Sequence, residues 1–333
     1  MEMFINKGSI FLKKLILVFT LATSINVLAD ESQTKPANDV AALKLMDLGA
    51  KLATGDVDSL KTQGINLLSN EAVGVSKSFL QKYFPTVELW LGLGDPSKPT
   101  SGLLVVAPLS DPKDVKNTLF TQGSVYYFDN RTTVNLGLGY RRLEMDNKLL
   151  LGVNGFYDHE FPYDHGRTSV GLEARTTAGE VNFNQYWGVT GWRMGKSNYE
   201  ERALGGTDLE VGVPLPYMNW AKVYVRGFIW DSVDGVKDVK GNDVSFRAQV
   251  PILPGLAIEA GHRTYTTMQD EDFLRVTYNV MDFNAAKPTQ PWFSDSAYQL
   301  ASMEDRRYEK VRRENLIIKQ KRNGRFSVTV RGF

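Results

Sequence analysis

The sequence is 333 residues long, 42% apolar and 23% charged, with a formal net charge of +1. That balance excludes a general polyanion-binding role, because no basic surplus is available to neutralise phosphates, and no nucleic-acid partner is expected. Cysteine is absent, which excludes disulfides, thiolate metal sites and cysteine nucleophiles.

Residues 1–29 read as a signal peptide. Lys7, Lys13 and Lys14 precede an apolar core from Leu15 to Val27, and the small Ala29 precedes Asp30 at the expected cleavage point. The core is about 13 residues, short of the ~20 that span a bilayer as a helix. No later stretch reaches about 18 consecutive apolar residues, so membrane insertion would require a closed barrel. Residues 30–84 are expected to form a periplasmic helical region: Val40, Leu43 and Met46, and Leu45, Leu48 and Leu52, then Ile65 and Leu68, and Val75 and Phe79, recur at three- and four-residue spacing. The polar face carries both charge signs, which favours a soluble cap over a membrane-surface helix.

Residues 85–283 change period. Apolar side chains fill every second position of segments roughly ten residues long, as in strands with lipid on one face and water on the other. In RTTVNLGLGYRR from Arg131, one parity holds Val134, Leu136, Leu138 and Tyr140; the other holds Thr133, Asn135, Gly137, Gly139 and Arg141. Twelve such segments start near Thr86, Ser101, Thr118, Arg131, Asn147, Arg167, Glu180, Gly206, Asn219, Asn242, Gly255 and Glu271. The fold expected is an all-β membrane protein, a twelve-stranded antiparallel outer-membrane barrel whose even strand number brings both ends to one side. Turn chemistry stands at Asp129-Asn130, Asp146-Asn147, Ala178-Gly179, Asp234-Gly235, Gly241-Asn242 and Pro254-Gly255.

An arginine on the lipid face near mid-bilayer costs about 2–4 kcal/mol. Parity therefore assigns Asn135, Arg141, Glu173, Arg175, Arg247, Glu259, Arg263 and Arg275 to the lumen. Gly137 and Gly139 share that parity, where they would leave room for a neighbouring backbone or a plug. Trp220, Trp230, Tyr126, Tyr127, Tyr140 and Tyr157 sit near segment ends, as an interfacial aromatic girdle or ordinary strand packing would have them.

After Phe283 the alternation stops. Residues 284–333 form a linker and C-terminal stub: Pro288 and Pro291, a charged run from Ser294 to Arg313 open to a helical reading, then a short β-like stretch from Leu316 to Lys319. So polar a segment cannot face lipid, though it is long enough to thread a lumen or return to the periplasm. Tyr278 and Phe283 belong to the expected closing strand. The ending at Phe333 is the other candidate for the terminal aromatic residue that outer-membrane assembly machinery reads.

An ordered series of motifs resembles the translocation domain of the intimin and invasin family, the inverse autotransporters. It comprises NLGLGYRR from Asn135, LGVNGFYDHEF from Leu151 with His165-Gly166-Arg167, NQYWGVTGWR from Asn184, Tyr199-Glu200-Glu201-Arg202, and YEKVRRENLIIKQKR from Tyr308. The last is similar to the signature that follows the family's final barrel strand, with Glu314, Lys319 and Gln320 departing from it. The resemblance implies a barrel that exports and anchors its C-terminal segment, with Val311, Arg313, Asn315 and Ile317 in a pore-threading linker. It also implies outer-membrane lipid, barrel-assembly machinery and periplasmic chaperones as partners, and a family-level link to adhesion through host-cell or surface ligands of a passenger. Only eleven residues follow Arg322, so a passenger is expected to be absent or reduced to a stub.

The cluster Asp158, His159, Glu160, Asp164 and His165 offers metal-ligand residue types. It falls in an expected loop with Pro162 and matches the family's non-metal motif, so loop solvation is the expected role. No metal, cofactor or catalytic residue is expected, and no nucleophile-elbow, Walker or dinucleotide signature appears in its required context. The alternatives are a small plugged pore or structural outer-membrane protein without export and, last, a hydrolase using the His159 loop.

Overall fold

The computed structural model describes residues 84–93, 100–279, 291–323 and 325–327. The expected cleavage site at Ala29 and Asp30, the helical region other than Phe84, and the endings at Phe283 and Phe333 lie outside the described residues.

Twelve antiparallel strands close into one barrel. The first seven run consecutively: β1 (Thr86–Leu93), β2 (Thr100–Pro108), β3 (Asn117–Phe128), β4 (Arg131–Glu144), β5 (Leu149–Phe161), β6 (His165–Thr176) and β7 (Gly179–Gly188). Two short strands, β8 (Arg193–Met194) and β9 (Glu200–Ala203), then leave the wall. It resumes with β10 (Gly205–Leu215), β11 (Met218–Asp231), β12 (Val239–Gln249), β13 (Leu256–Tyr265) and β14 (Glu271–Asn279). β14 closes on β1, with Tyr278 opposite Leu89 and Thr277 opposite Trp90. β15 (Lys319–Asn323) and β16 (Arg325–Ser327) join β8 and β9 in a separate sheet of order β16-β15-β9-β8.

Strand starts fall within three residues of those expected, the widest gap being at β12. The alternation has its physical cause in the two solvents. Leu138, Tyr140, Val170, Leu172, Leu209 and Val211 are exposed on the outer face, while Asn135, Arg141, Arg167, Glu173 and Arg175 are buried within. Asp129-Asn130 and Asp234-Gly235 adopt the positive φ of tight turns.

Four expectations are corrected. Gly241-Asn242 is no turn but lies inside β12, paired with Phe228 and Gly227 on one side and with Tyr265 and Thr264 on the other; the glycine answers to close packing, since a side chain there would meet the Phe228 ring at 2.4 Å and the Thr264 carbonyl at 2.3 Å. Gly137 and Gly139 make room for neither backbone nor plug. They stand directly opposite Phe156 and Phe120, whose rings lean over them at 2.3 and 2.2 Å from where a Cβ would be. Gly102, Gly212 and Gly261 face Tyr126, Tyr224 and Phe273 in the same way. Large rings thus lie flat along the inner wall. Of the proposed girdle, Tyr140 and Tyr157 face outward, but Trp230 and Tyr126 are buried inside, 2% and 7% exposed, since the filled lumen offers them apolar partners. The run from Ser294 to Arg313 holds only the 3-10 turn Glu304–Arg306 among described helices; apart from the Arg306–Glu309 pair, its charged side chains and backbone are held by the wall, as with Lys310 on Glu88, Arg312 on Glu210 and Arg313 on Asp158.

Candidate functional site

One rim, here the first, carries the turns at 145–148, 177–178, 216–217 and 250–255 with the end of β14; the second carries those at 129–130, 162–164, 189–204 and 232–238. The segment after β14 meets the first rim, where Met303 donates its backbone N–H to the Asn147 carbonyl at 2.7 Å. At the second rim, Leu204 N–H donates to the Ile318 carbonyl at 2.9 Å, and β15 pairs with β9 from Lys319 opposite Ala203 to Arg322 opposite Glu200. Arg307 to Ile318, extended at about 3.3 Å per residue, reaches about 36 Å, which exceeds the ~30 Å hydrocarbon core.

Inside the barrel the segment has no strand ladder, so wall side chains satisfy its backbone. Gln122 accepts from Val311 N–H at 2.8 Å, and Tyr186 Oη accepts from Glu314 N–H at 2.7 Å. Arg141 donates to the carbonyls of Arg307 and Glu309, Arg167 to that of Glu314, and Asn135 to that of Asn315. Four apolar residues anchor it: Met303 against Leu143 and Leu150; Val311 against Phe120 and Phe156; Leu316 against Trp90 and Tyr126; Ile318 against Tyr186 and Trp230.

Charge follows the sheet register. Ser124, Asn135, Asp158 and Arg167 stand in one row across β3 to β6. Asp158 sits between Arg167 at 2.8 Å and Arg313 of the segment at 2.7 Å, all three side chains fully buried. Arg313 also lies over the Phe156 ring at 4.3 Å and donates to Ser169. A second row runs Glu210, Arg226, Asp243, Arg263 across β10 to β13, and the segment joins it through Arg312 to Glu210 and Glu314 to Arg226. Lys310 meets Glu88 at 2.5 Å. Beside Lys310 to Asn315 remains a polar cavity of about 90 Å³ lined by Glu210, Arg247, Glu259 and Arg275, room for several waters.

The structure places all eight lumen-parity residues inside. Asn135 bonds Ser124 and Asp158; Arg141 and Arg175 flank Glu173 at 2.5 and 2.7 Å; Arg247 and Arg275 flank Glu259; Arg263 holds Asp243. Val311, Arg313, Asn315 and Ile317 lie among them, Val311 and Ile317 at 2% and 0% exposure.

The expected metal-type cluster is divided by the sheet. Half-buried His159 and exposed Asp164 lie 3.3 Å apart on the outside, whereas Asp158, Glu160 and His165 turn inward from strands rather than from a loop. Loop solvation is thus corrected for Asp158 and Glu160, because both are buried ion-pair partners. Glu160, His165 and Glu201 bring potential ligand atoms within 4.8 Å of one another. That space already holds three cations: Arg131 on both carboxylates at 2.7 and 2.8 Å, Lys319 on Glu160, and Lys321 on Glu201 at 3.2 Å. They leave no net negative charge for a divalent ion. Burial opposes the Glu201 carboxylate, but His165 and Arg131 outweigh it and hold the group well below the usual carboxylate range. Sequence reasoning missed the functional part of this cluster, since its cations come from residues far along the chain.

A closed barrel with an apolar outer face, polar inner face and lumen occupied by its own chain is an outer-membrane β-barrel. A family model described as the inverse autotransporter β-domain matches residues 38–315. The chain belongs to that family, and its place is the outer membrane of a Gram-negative bacterium. It is 34% identical over 118 residues to an attaching and effacing protein homolog of Escherichia coli K12, covering 35% of this chain and 39% of that protein. It is 27% identical over 191 residues to the invasin of Yersinia enterocolitica, covering 56% of this chain and 22% of the relative. The chain thus spans well under half of these curated relatives. A solved structure from work on in-meso crystallization of membrane proteins superposes with a TM-score of 0.60 at 22% identity, covering 72% of this chain and 100% of that one, and so shares the fold.

Proposed function

We propose that this barrel carries its own C-terminal segment across the outer membrane and then holds it in the lumen as a fixed linker, without a catalytic step. The observation that carries the reading is the segment's path: backbone contacts to first-rim turns at Met303, wall contacts from Arg307 to Ile318, and pairing with β9 at the second rim. Lumen side chains satisfy an extended backbone, which is what a conduit must do for hydrated chain. Assembly machinery and periplasmic chaperones would deliver the barrel, and an adhesive contact would belong to whatever the linker presents. A tag appended after Phe333 with protease shaving of intact cells tests the route. Surface cleavage supports it; protection in intact cells with cleavage after outer-membrane permeabilisation refutes it.

The filled lumen, with a cavity of about 90 Å³, favours a second reading, a plugged pore without export. Under it, deleting residues 303–322 opens a stable conductance while the tag stays protected.

A further inference from the structure

Before entering the lumen, residues 291–302 run beneath the first rim as a strap. Trp220 Nε1 donates to the Trp292 carbonyl at 2.9 Å, with the two indole rings edge to face at 5.3 Å. Ser294 N–H donates to the Tyr217 carbonyl and Tyr217 N–H to that of Ala297. Thr177 Oγ1 donates to the Gln299 carbonyl and accepts from Ala301 N–H. The strap therefore passes the β10–β11 and β6–β7 turns in succession, and Met303 then reaches the β4–β5 turn.

This anchoring leaves the large side chains outside. Trp292, Phe293, Tyr298 and Leu300 are 49%, 70%, 50% and 48% exposed. On the same rim, Met145, Tyr217 and Ile252 are 65%, 49% and 61% exposed. Composition separates the strap from the segment inside the lumen: one charge, Asp295, in residues 291–302, against twelve in residues 304–322. A water-facing tether would not collect an apolar band while dismissing charge. The band also continues an established surface. Outward Val211 and Val213 on β10 lead to Tyr217 at its turn, and Val181 on β7 leads to the turn held by Thr177. Each headgroup layer adds roughly 5–8 Å beyond the hydrocarbon core, about the depth of a turn lying two residues past a strand end. Trp and Tyr with an apolar body and a polar tip favour that layer.

We propose that the strap 291–302 is a lipid-contacting element, seated in the headgroup layer at the first rim with Trp292, Phe293, Tyr298 and Leu300 against the bilayer. It thereby fixes the depth at which the linker enters the lumen. The absence of cysteine makes the test clean. Phe293→Cys in the full chain is nitroxide-labelled in phosphatidylethanolamine and phosphatidylglycerol vesicles, and collisions with oxygen and with an aqueous nickel chelate are compared. Leu172→Cys on the outer wall and Lys237→Cys on a second-rim loop serve as lipid and water references; Leu300→Cys repeats the measurement should Phe293→Cys fail the heat-modifiable migration of a folded barrel. An oxygen-to-nickel ratio between the two references, and above that of Lys237→Cys, is the expected result. A ratio equal to the water reference overturns the proposal. So does protection from both quenchers, which would mean that protein, such as this chain's own N-terminal region, covers the strap.

Discussion

Asp158 is where the wall grips the linker most tightly, and removing it should loosen the segment more than removing the linker's own cation does. In Asp158→Ala two buried guanidiniums lose their shared carboxylate, Arg167 at 2.8 Å and Arg313 at 2.7 Å. Breaking a buried pair by deleting one partner costs about 3–5 kcal/mol, because a charge is left uncompensated. Arg167 keeps the Glu314 carbonyl and Arg313 keeps Ser169, so the lower end applies: about 3 kcal/mol, or roughly 150-fold in the opening equilibrium. Arg313→Ala leaves Asp158 still held by Arg167 and Asn135 and should cost less, about 1–2 kcal/mol. Hydrogen exchange of the Val311 and Glu314 amides, bonded to Gln122 and Tyr186, reads both variants, with the double variant closing a cycle. Equal protection in wild type and Asp158→Ala, or a cycle with no coupling, would refute the idea that this triad locks the linker.

The same contacts set further outcomes. Gly139→Ala should destabilise the barrel by about 1–3 kcal/mol through collision with the Phe120 ring, seen as a lower urea midpoint; Gly155→Ala, whose Cβ meets only the Ser169 carbonyl at 3.7 Å, is the near-neutral control. Leu172→Arg, on the outer face of β6, should cost about 2–4 kcal/mol and reduce the folded, heat-modifiable fraction. Glu201→Gln should release β15 from β9, raising amide exchange at Gln320 and Arg322. As the Glu201 pKa is lowered on folding, its contribution is full above the unfolded value near 4.5 and is lost progressively as pH falls from there through the folded value. Wild-type protection should therefore persist at pH 5, and loss between pH 7 and 5 would count against the ion-pair assignment.

Periodicity made the barrel legible because lipid on one side and water on the other impose a two-residue repeat on every strand, as with Val170 and Leu172 against Ser169 and Glu173. It was silent on partners. Asp158 and Arg313 are 155 residues apart in sequence, and nothing local marks them as a pair. Trp230 and Tyr126 misled for a related reason: aromatic residues near strand ends suit a headgroup girdle equally well, and only the segment filling the lumen draws them inward. The β9–β15 pairing was also hidden, since four and five residues of mixed charge carry too little alternation to read as strands. Its signal lies in complementarity, Glu200 and Glu201 set against Lys321 and Arg322.

The direction of the thread is tested most directly by cysteine accessibility on intact cells, using a membrane-impermeant maleimide on single-cysteine variants at Arg322 and Asp146. Arg322 pairs with β9 at the second rim, and Asp146 is exposed in the β4–β5 turn of the first. Export through the lumen predicts labelling of Arg322→Cys in intact cells, with Asp146→Cys labelled only after the outer membrane is permeabilised. Labelling of Asp146→Cys in intact cells while Arg322→Cys stays protected would contradict it.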